Sequence, residues 1–332
     1  MRQRTSSPTI YDIAQEAGVA PSTVSRAFSR PGRVSAATSA HIHEVAERMG
    51  YRTAPRPVAP AKGRTGTLAL VVPDVTNPGF FATIRGVEAA AAEAGYLVLL
   101  AETQESAMLE RKLLDRIVPD VDGVVLVSSR LPDRAVRTVA SQCPIVVLNR
   151  IVAGMRCIVP DTAVGVRGAL RHLAGLGHRS VTYIAGPEAS WVDGMRWRSV
   201  QDLSAEFGLK VSRLGPCPPT MSGGRDLTTA VLRQSSSAVL AYSDLIAIGL
   251  LRGLRGHGMR VPHDMSVIGF DNVVGSDFCS PPLTTVAAPL RAMGAAAFRE
   301  LRHLVRSESA DSRAVVSVPP QLVVRESTGP CG

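Results

Sequence analysis

TIYDIAQEAGVAPSTVSRAFSRPGRVS, residues 9–35, reads as two short helices joined by a tight turn. Thr9 suits an N-cap, and Asp12, three residues on, can reach back to the open amides. Ile13, Ala14 and Ala17 mark an apolar stripe, and Gly18 supplies a left-handed stop. Pro21 suits the first turn of a second helix, where its missing N–H would have had no partner. Ser22, Thr23, Ser25 and Arg26 follow, with Val24 and Phe28 directed inward. Short hydroxyls and an Arg on one face, beside a buried Val, suit insertion into a DNA groove. A polar-faced αα-hairpin carries the same local pattern, so the helix pair alone does not decide.

A longer set of residues does. Thr9, Asp12, Ala14, Ala17-Gly18-Val19, Thr23-Val24-Ser25-Arg26, Val34-Ser35 and Thr38, resuming at Gly50-Tyr51, resemble the headpiece signature of the LacI/GalR family of bacterial transcription regulators. The similarity runs through nearly all 332 residues. It implies an all-α, three-helix helix-turn-helix headpiece. Behind it should lie an α/β, periplasmic-binding-protein-like core of two doubly wound parallel-sheet subdomains. In the head, Pro21, Ser22 and Arg26 match the family's specificity positions. Thr9, Thr23, Ser25 and Ser35 complete the expected DNA-facing set, with Ser22 and Thr23 favouring phosphate. Arg26 can pair with a guanine edge or clamp a phosphate, and sequence does not separate the two. Ala20 replaces the family's usual Ser cap, at about 1 kcal/mol of helix stability.

The charge is placed unevenly. Residues 1–65 hold ten Arg/Lys against four Asp/Glu, so +6 of the net +9 sits in the first fifth of the chain. A basic head on a nearly neutral body is the footprint of nucleic-acid binding. Arg2 and Arg4 read as a solvated tail. The five cysteines (Cys143, Cys157, Cys217, Cys279, Cys331) are scattered without a CxxC pair, which favours reduced thiols over a disulfide frame or zinc site. His41 and His43 lie two apart on a helix and face different ways. No apolar run is long enough for a membrane span, and MRQRTSSPTIYD lacks the apolar core of a secretory signal. The expected location is cytoplasmic.

A third head helix is expected over residues 36–48, capped by Ser35, with Ile42, Val45, Ala46 and Met49 inward. Residues 1–52 form the expected headpiece and 53–66 a Pro-rich linker. The core should span 67–332, divided into an N-subdomain (67–160 and 288–314) and a C-subdomain (161–287 and 315–332). The family layout implies three crossings, near Asp161, near Thr285–Ala287 and near Val315. Within the core, apolar runs at 68–73, 96–102, 121–129 and 144–149 alternate with helical patterns at 80–94 and around Leu109–Leu114. A second series has a helix at 165–176, strands at 181–186 and 209–214, a helix at 197–207, and strands at 237–243 and 265–271. Such alternation predicts parallel sheets covered on both faces, with a cleft at the strands' carboxyl ends.

The strand-end residues supply the cleft candidates. By the resemblance, Arg196, ten residues after Gly186, and Asp271 in GFDN fall on the family's ligand-binding Arg and Asp. A donor fork facing a carboxylate suits a polyhydroxylated effector, a sugar or sugar derivative. Phe80 and Trp191 can stack on its apolar face, and Ser128, Asn149 and Ser243 complete the candidate set. A structural Arg–Asp ion pair among core aromatics is the competing reading. Ser243 and Thr162 both stand where the family commonly has Asn, which leaves the sugar's identity open.

The linker RTAPRPVAPAKGRTG departs from the family, whose hinge helix wedges a Leu into the minor groove. Counting without a gap, that Leu position is Pro60, and Pro57 replaces an Ala. Pro55 suits a first helical turn, but Pro60 two turns in costs ~3 kcal/mol. The segment is therefore expected to stay extended, with no wedge at 55–61.

Neither a P-loop, a G-x-S-x-G elbow nor an H-E-x-x-H pair is present. GLRGHG at 253–258 reads as a helix end rather than a nucleotide loop. The expectation is a non-enzymatic, sequence-specific repressor without cofactor or metal. It should bind a palindromic double-stranded operator as a homodimer, gated by a small molecule in the cleft. The alternatives are a solute-binding protein of the same core fold, which the basic head opposes, and an effector-independent regulator.

Overall fold

The structure, a computed structural model, describes residues 8–29, 33–49, 51, 64–306 and 315–331. The chain divides near residue 60 into two compact units.

The first unit holds α1 (Ile10–Glu16), α2 (Pro21–Ser29) and α3 (Ala36–Arg48). Thr9 and Asp12 form a reciprocal capping box on α1: Asp12 N–H donates to Thr9 Oγ1 (3.3 Å) and Thr9 N–H to Asp12 Oδ2 (2.7 Å). Gly18 takes the left-handed conformation (φ 64°) that ends the turn after α1. Ser35 caps α3 by accepting from Thr38 N–H at 3.2 Å. Ile13, Ala14, Val24, Ala27, Ile42 and Val45 close the small core, with the Phe28 ring edge-on to His43. The expectation that residues 55–61 form no helix falls outside the described residues.

The second unit begins with β1 (Thr67–Val72), α4 (Phe81–Glu93), β2 (Leu97–Glu102), α5 (Ala107–Ile117), β3 (Gly123–Val127), α6 (Asp133–Ala140), β4 (Ile145–Leu148) and β5 (Arg156–Pro160). It continues with α7 (Thr162–Gly175), β6 (Ser180–Ile184), α8 (Trp191–Ser204), β7 (Lys210–Leu214), α9 (Met221–Asp226), α10 (Thr228–Leu232), β8 (Ala238–Ala241), α11 (Asp244–Gly256), β9 (Ser266–Phe270) and β10 (Thr284–Ala287). Last come α12 (Leu290–Val305), β11 (Val315–Val318) and β12 (Gln321–Val323). Two six-stranded sheets result, ordered β11-β5-β4-β3-β1-β2 and β12-β10-β9-β8-β6-β7. Every pairing is parallel except β10 with β12. Central strands β3, β4, β8 and β9 are buried throughout, as strands covered on both faces must be.

The subdomain boundary needs one correction. Residues 315–332 are expected in the second subdomain, yet β11 pairs with β5 in the first sheet, Val315 opposite Cys157. The final crossing therefore lies between Val318 and Gln321, not near Val315. Pairing with a strand some 150 residues earlier is a nonlocal choice that VVSV does not encode.

α12 returns to the first subdomain and packs on α4 with the two backbones touching. A Cβ on Gly86 would fall on the Arg291 carbonyl, and one on Gly294 on the Thr83 carbonyl. This reciprocal glycine contact sets the position of α4, and hence of the Asn77–Phe80 turn at its N-terminal end.

Candidate functional site

Strand ends from both sheets converge on one cavity. Arg196 projects from α8 and is buried. One of its Nη groups donates to the Tyr242 carbonyl and the other to Asp271 Oδ1 at 3.3 Å. Its guanidinium lies 4.1 Å from the Phe270 ring centroid and 5.0 Å from that of Tyr242. Burial works against the charge on Arg196, but Asp271 and the two tyrosines Tyr242 and Tyr183 more than offset that, so it stays protonated. Burial likewise pushes the Asp271 carboxyl up, and Arg196 pulls it only part of the way back.

Backbone strain marks the same place. Among the described residues, the non-glycine positions with left-handed φ are Gln104, Glu105, Ser128, Asn149, Asp271 and Asn272. All follow the carboxyl ends of β2, β3, β4 and β9, and four of them line the cavity. Such conformations persist only where the surroundings impose them, and they gather at ligand sites.

Phe80, Ser128, Asn149, Arg196, Ser243 and Asp271 all line this cavity. Asn149 Nδ2 donates to Ser128 Oγ at 3.3 Å, so the two side chains hold each other in the lining. The Ser243 hydroxyl caps α11 by accepting from Ile246 N–H at 3.4 Å, so its first role is structural.

Trp191 is not among the lining residues. α8 starts at Trp191 rather than near Trp197, because Ser190 caps it there and accepts from Asp193 N–H. Val192 and Arg196, four apart, then share the face turned to the cleft. Trp191 falls a third of a turn away.

Sequence reasoning passed over Tyr242 and Glu105, which also line the cavity, as does Asn77 of the strand-end motif Asp74-Val-Thr-Asn-Pro. Tyr242 left a trace in Gly186, where a Cβ would lie 2.5 Å from Tyr242 Cγ. Asp193 is another omission. It accepts from Tyr183 Oη (2.8 Å), Gly186 N–H (2.7 Å) and Arg213 (2.6 Å), fixing the start of α8 and with it the reach of Arg196.

In the head, α2 presents Pro21, Ser22, Ser25 and Arg26 to solvent, with Thr23 half-buried and Val24 and Ala27 against the core. The Thr9 and Ser35 hydroxyls are engaged in caps, Thr9 Oγ1 with Asp12 Oδ2 and Ser35 Oγ with Thr38 Oγ1, each at 2.7 Å. Tyr11 on α1 is 74% exposed, whereas Ile10, Phe28, Met49 and Tyr51 are partly buried against the head's core.

This layout can be set beside known proteins. The model of bacterial regulatory proteins of the lacI family matches residues 9–54, and that of a periplasmic binding protein-like domain matches 170–328. The transcriptional regulator DegA of Bacillus subtilis is 31% identical, covering 97% of this chain and 98% of its own. The chain belongs to the LacI family. The transcriptional repressor CytR of Escherichia coli is 30% identical, covering 98% of each chain. Among solved structures, the regulator CelR bound to cellobiose superposes with TM-score 0.72 at 28% identity, over 96% of this chain and 99% of that one. A regulator from Enterococcus faecium with bound ribose gives 0.71 at 27%, over 80% and 100%. The lac repressor dimer on its operator shares the fold, with TM-score 0.74 over 98% and 100%, at 23% identity. This LacI-family chain is thus a DNA-binding transcription regulator and not an enzyme. No helix among its described residues is long and apolar enough to cross a membrane.

Next to the cleft, this LacI-family core buries a second carboxylate. Asp244 takes hydrogen bonds from Val273 N–H (2.9 Å), Ser276 Oγ (2.5 Å) and Thr285 Oγ1 (2.6 Å), tying α11 to the Asp271 loop and to β10. Burial, and then the charge of Asp271, push its carboxyl up to about 7 from the usual 3.8. A raised carboxyl favours folding in its protonated form. That stabilisation is full below pH 3.8 and disappears as pH rises through about 7. Urea midpoints measured from pH 5 to 8 should fall more steeply with pH in the wild type than in Asp244→Asn. Parallel curves would contradict this assignment.

Proposed function

We propose that this protein is a cytoplasmic repressor that binds a palindromic operator as a homodimer and is gated by a sugar-like effector in the Arg196–Asp271 cleft. The observation that carries the reading is the ion pair itself, a buried Arg196 on a half-buried Asp271. Arg196 and Asp271 meet at the wall of a cavity between the strand ends of the two sheets, beside Asn77, Ser128 and Asn149. Each of these side chains can exchange hydrogen bonds with adjacent hydroxyls, and Phe80 offers an apolar face. The sugars bound in the CelR and Enterococcus faecium structures support the ligand class.

Dimerisation is supported by apolar surface that a lone subunit leaves wet. On the edge strand β2, Leu97, Leu99 and Leu100 are 65%, 42% and 42% exposed, and Val274 and Phe278 in the second subdomain exceed 70%. Patches of this kind mark association surfaces. A head of three short helices reads one half-site, so pairing two heads multiplies affinity and specificity on a palindrome.

Selection of genomic fragments by the purified protein at fixed, near-physiological salt tests the reading. A shared short palindrome is expected. Fragments without a common motif, bound only at low salt, would overturn it. On a recovered site, Arg26→Ala should cost about 1–3 kcal/mol, measured by titration. If Arg26 reads a base, the loss is confined to the specific site. If it clamps a phosphate, binding to scrambled DNA weakens equally.

A further inference from the structure

The head has one covalent connection to the core, and the core grips it at residues 64–66 from two sides. The Asp122 carboxylate, just before β3, accepts three hydrogen bonds there. Thr65 N–H (2.7 Å) and Thr65 Oγ1 (3.0 Å) donate to Oδ1, and Gly66 N–H (3.0 Å) donates to Oδ2. On the other side, the Arg64 guanidinium donates to the Val305 carbonyl at 2.8 Å. Val305 closes α12, where the last carbonyls have no partner inside the helix.

The two grips adjoin. A Cβ on Gly123, the residue after Asp122, would lie 2.9 Å from Leu301 Cδ1 and 3.2 Å from Val305 Cγ2. The last turns of α12 are therefore seated beside the Asp122 clamp. β3 is a buried central strand, so Asp122 belongs to the sheet, whereas Arg64 is tied to a helix lying on that sheet. The other end of this helix reaches the Arg196 cavity: Leu290, its first residue, lines the wall together with Ala288. With 16 residues at 1.5 Å each, α12 spans about 24 Å between the two places. It contains no proline to bend it.

We infer that α12 is the lever by which the cleft acts on the head, with Arg64 and Asp122 as its positioning residues. An occupant that displaces Leu290 moves the helix over the sheet, and Val305 passes the movement to Arg64. Asp122 meanwhile holds Thr65 and Gly66 against β3, so the chain leaving the core is turned about that point. This rests on the reading of the chain as a repressor gated from the Arg196–Asp271 cleft.

The test is a double-mutant cycle on operator affinity, measured by titrating a genomically selected operator with the full-length protein at fixed salt. Leu290→Ala shrinks and Leu290→Phe enlarges the side chain through which the cleft touches α12, and Arg64→Met removes the donor at the far end. Changes this far apart ordinarily combine additively to within about twofold. At least one Leu290 variant should change operator affinity about fivefold in the wild-type background and less than about twofold beside Arg64→Met. Arg64→Lys keeps a donor for the Val305 carbonyl and should restore the response. Asp122→Asn, which turns one acceptor oxygen into a donor facing an N–H, should suppress it as Arg64→Met does. Equal responses in all backgrounds, or none to either Leu290 variant in the wild type, would overturn the lever and leave the repressor standing. Failure to recover any operator overturns the repressor reading and this inference with it.

Discussion

Arg196→Met is expected to destabilise the core by about 3–5 kcal/mol and to abolish ligand binding in the cleft. The stability loss follows from what remains behind. Asp271 keeps a half-buried carboxylate that has lost its Arg196 partner, and the Tyr242 carbonyl loses the donor that satisfies it. Removing one partner of a buried pair costs far more than the pair itself contributes. The double variant Arg196→Met/Asp271→Leu should therefore regain most of the stability, because both charges go and apolar volume replaces them. It should still bind no sugar. Urea unfolding and calorimetry on the three proteins separate the two roles. If the single variant were as stable as the wild type, the pair would be less buried than described. If the double variant bound the same ligand, the pair would be structural only.

Gly86→Ala should cost the core about 3 kcal/mol, the upper end for added core atoms. The obstacle is the Arg291 carbonyl, a backbone atom that cannot rotate aside, so α4 and α12 must separate. Because α4 carries the Asn77–Phe80 turn at its head, the shift reaches the cleft wall. Gly194→Ala is the control. It makes the same chemical change in α8, where a Cβ meets nothing within 4 Å. That variant should gain roughly 0.5–1 kcal/mol from lower chain entropy. Thermal unfolding of the two proteins should move in opposite directions. A Gly86→Ala core as stable as the wild type would refute the backbone contact between the helices.

What the sequence made legible follows from how local each determinant is. The head could be read almost residue by residue, because Thr9 with Asp12, Gly18, Pro21 and Ser35 each act within one turn. The alternation of buried strands and amphipathic helices likewise announced two doubly wound layers. In the cleft, Ser128, Asn149, Ser243 and Asp271 line one cavity because strand ends point there whatever their identity, while Phe80 and Arg196 reach it from helical segments.

The failures were of two kinds. The start of α8 was legible but overlooked, since Ser190 and Asp193 stand three apart at a helix entrance, and with it went the direction of Trp191. The placement of β11 in the first sheet was not legible. Its four residues pair with Cys157–Pro160, a partner far away in sequence that no local pattern specifies. Tyr242 lay between the two kinds: its ring explains a glycine 56 residues earlier, but no local pattern joins them.

The central claim is that occupancy of the Arg196–Asp271 cleft sets the affinity of the head for its operator. The most direct measurement is titration of a genomically selected operator with the full-length protein, with and without a saturating saccharide that binds the cleft. The affinity should change by about 5–150-fold, the range of a coupling energy of 1–3 kcal/mol. By linkage, operator DNA should change the saccharide's affinity by the same factor. Identical operator affinities at full saccharide occupancy would contradict the account and leave a DNA-binding protein whose cleft does not control it.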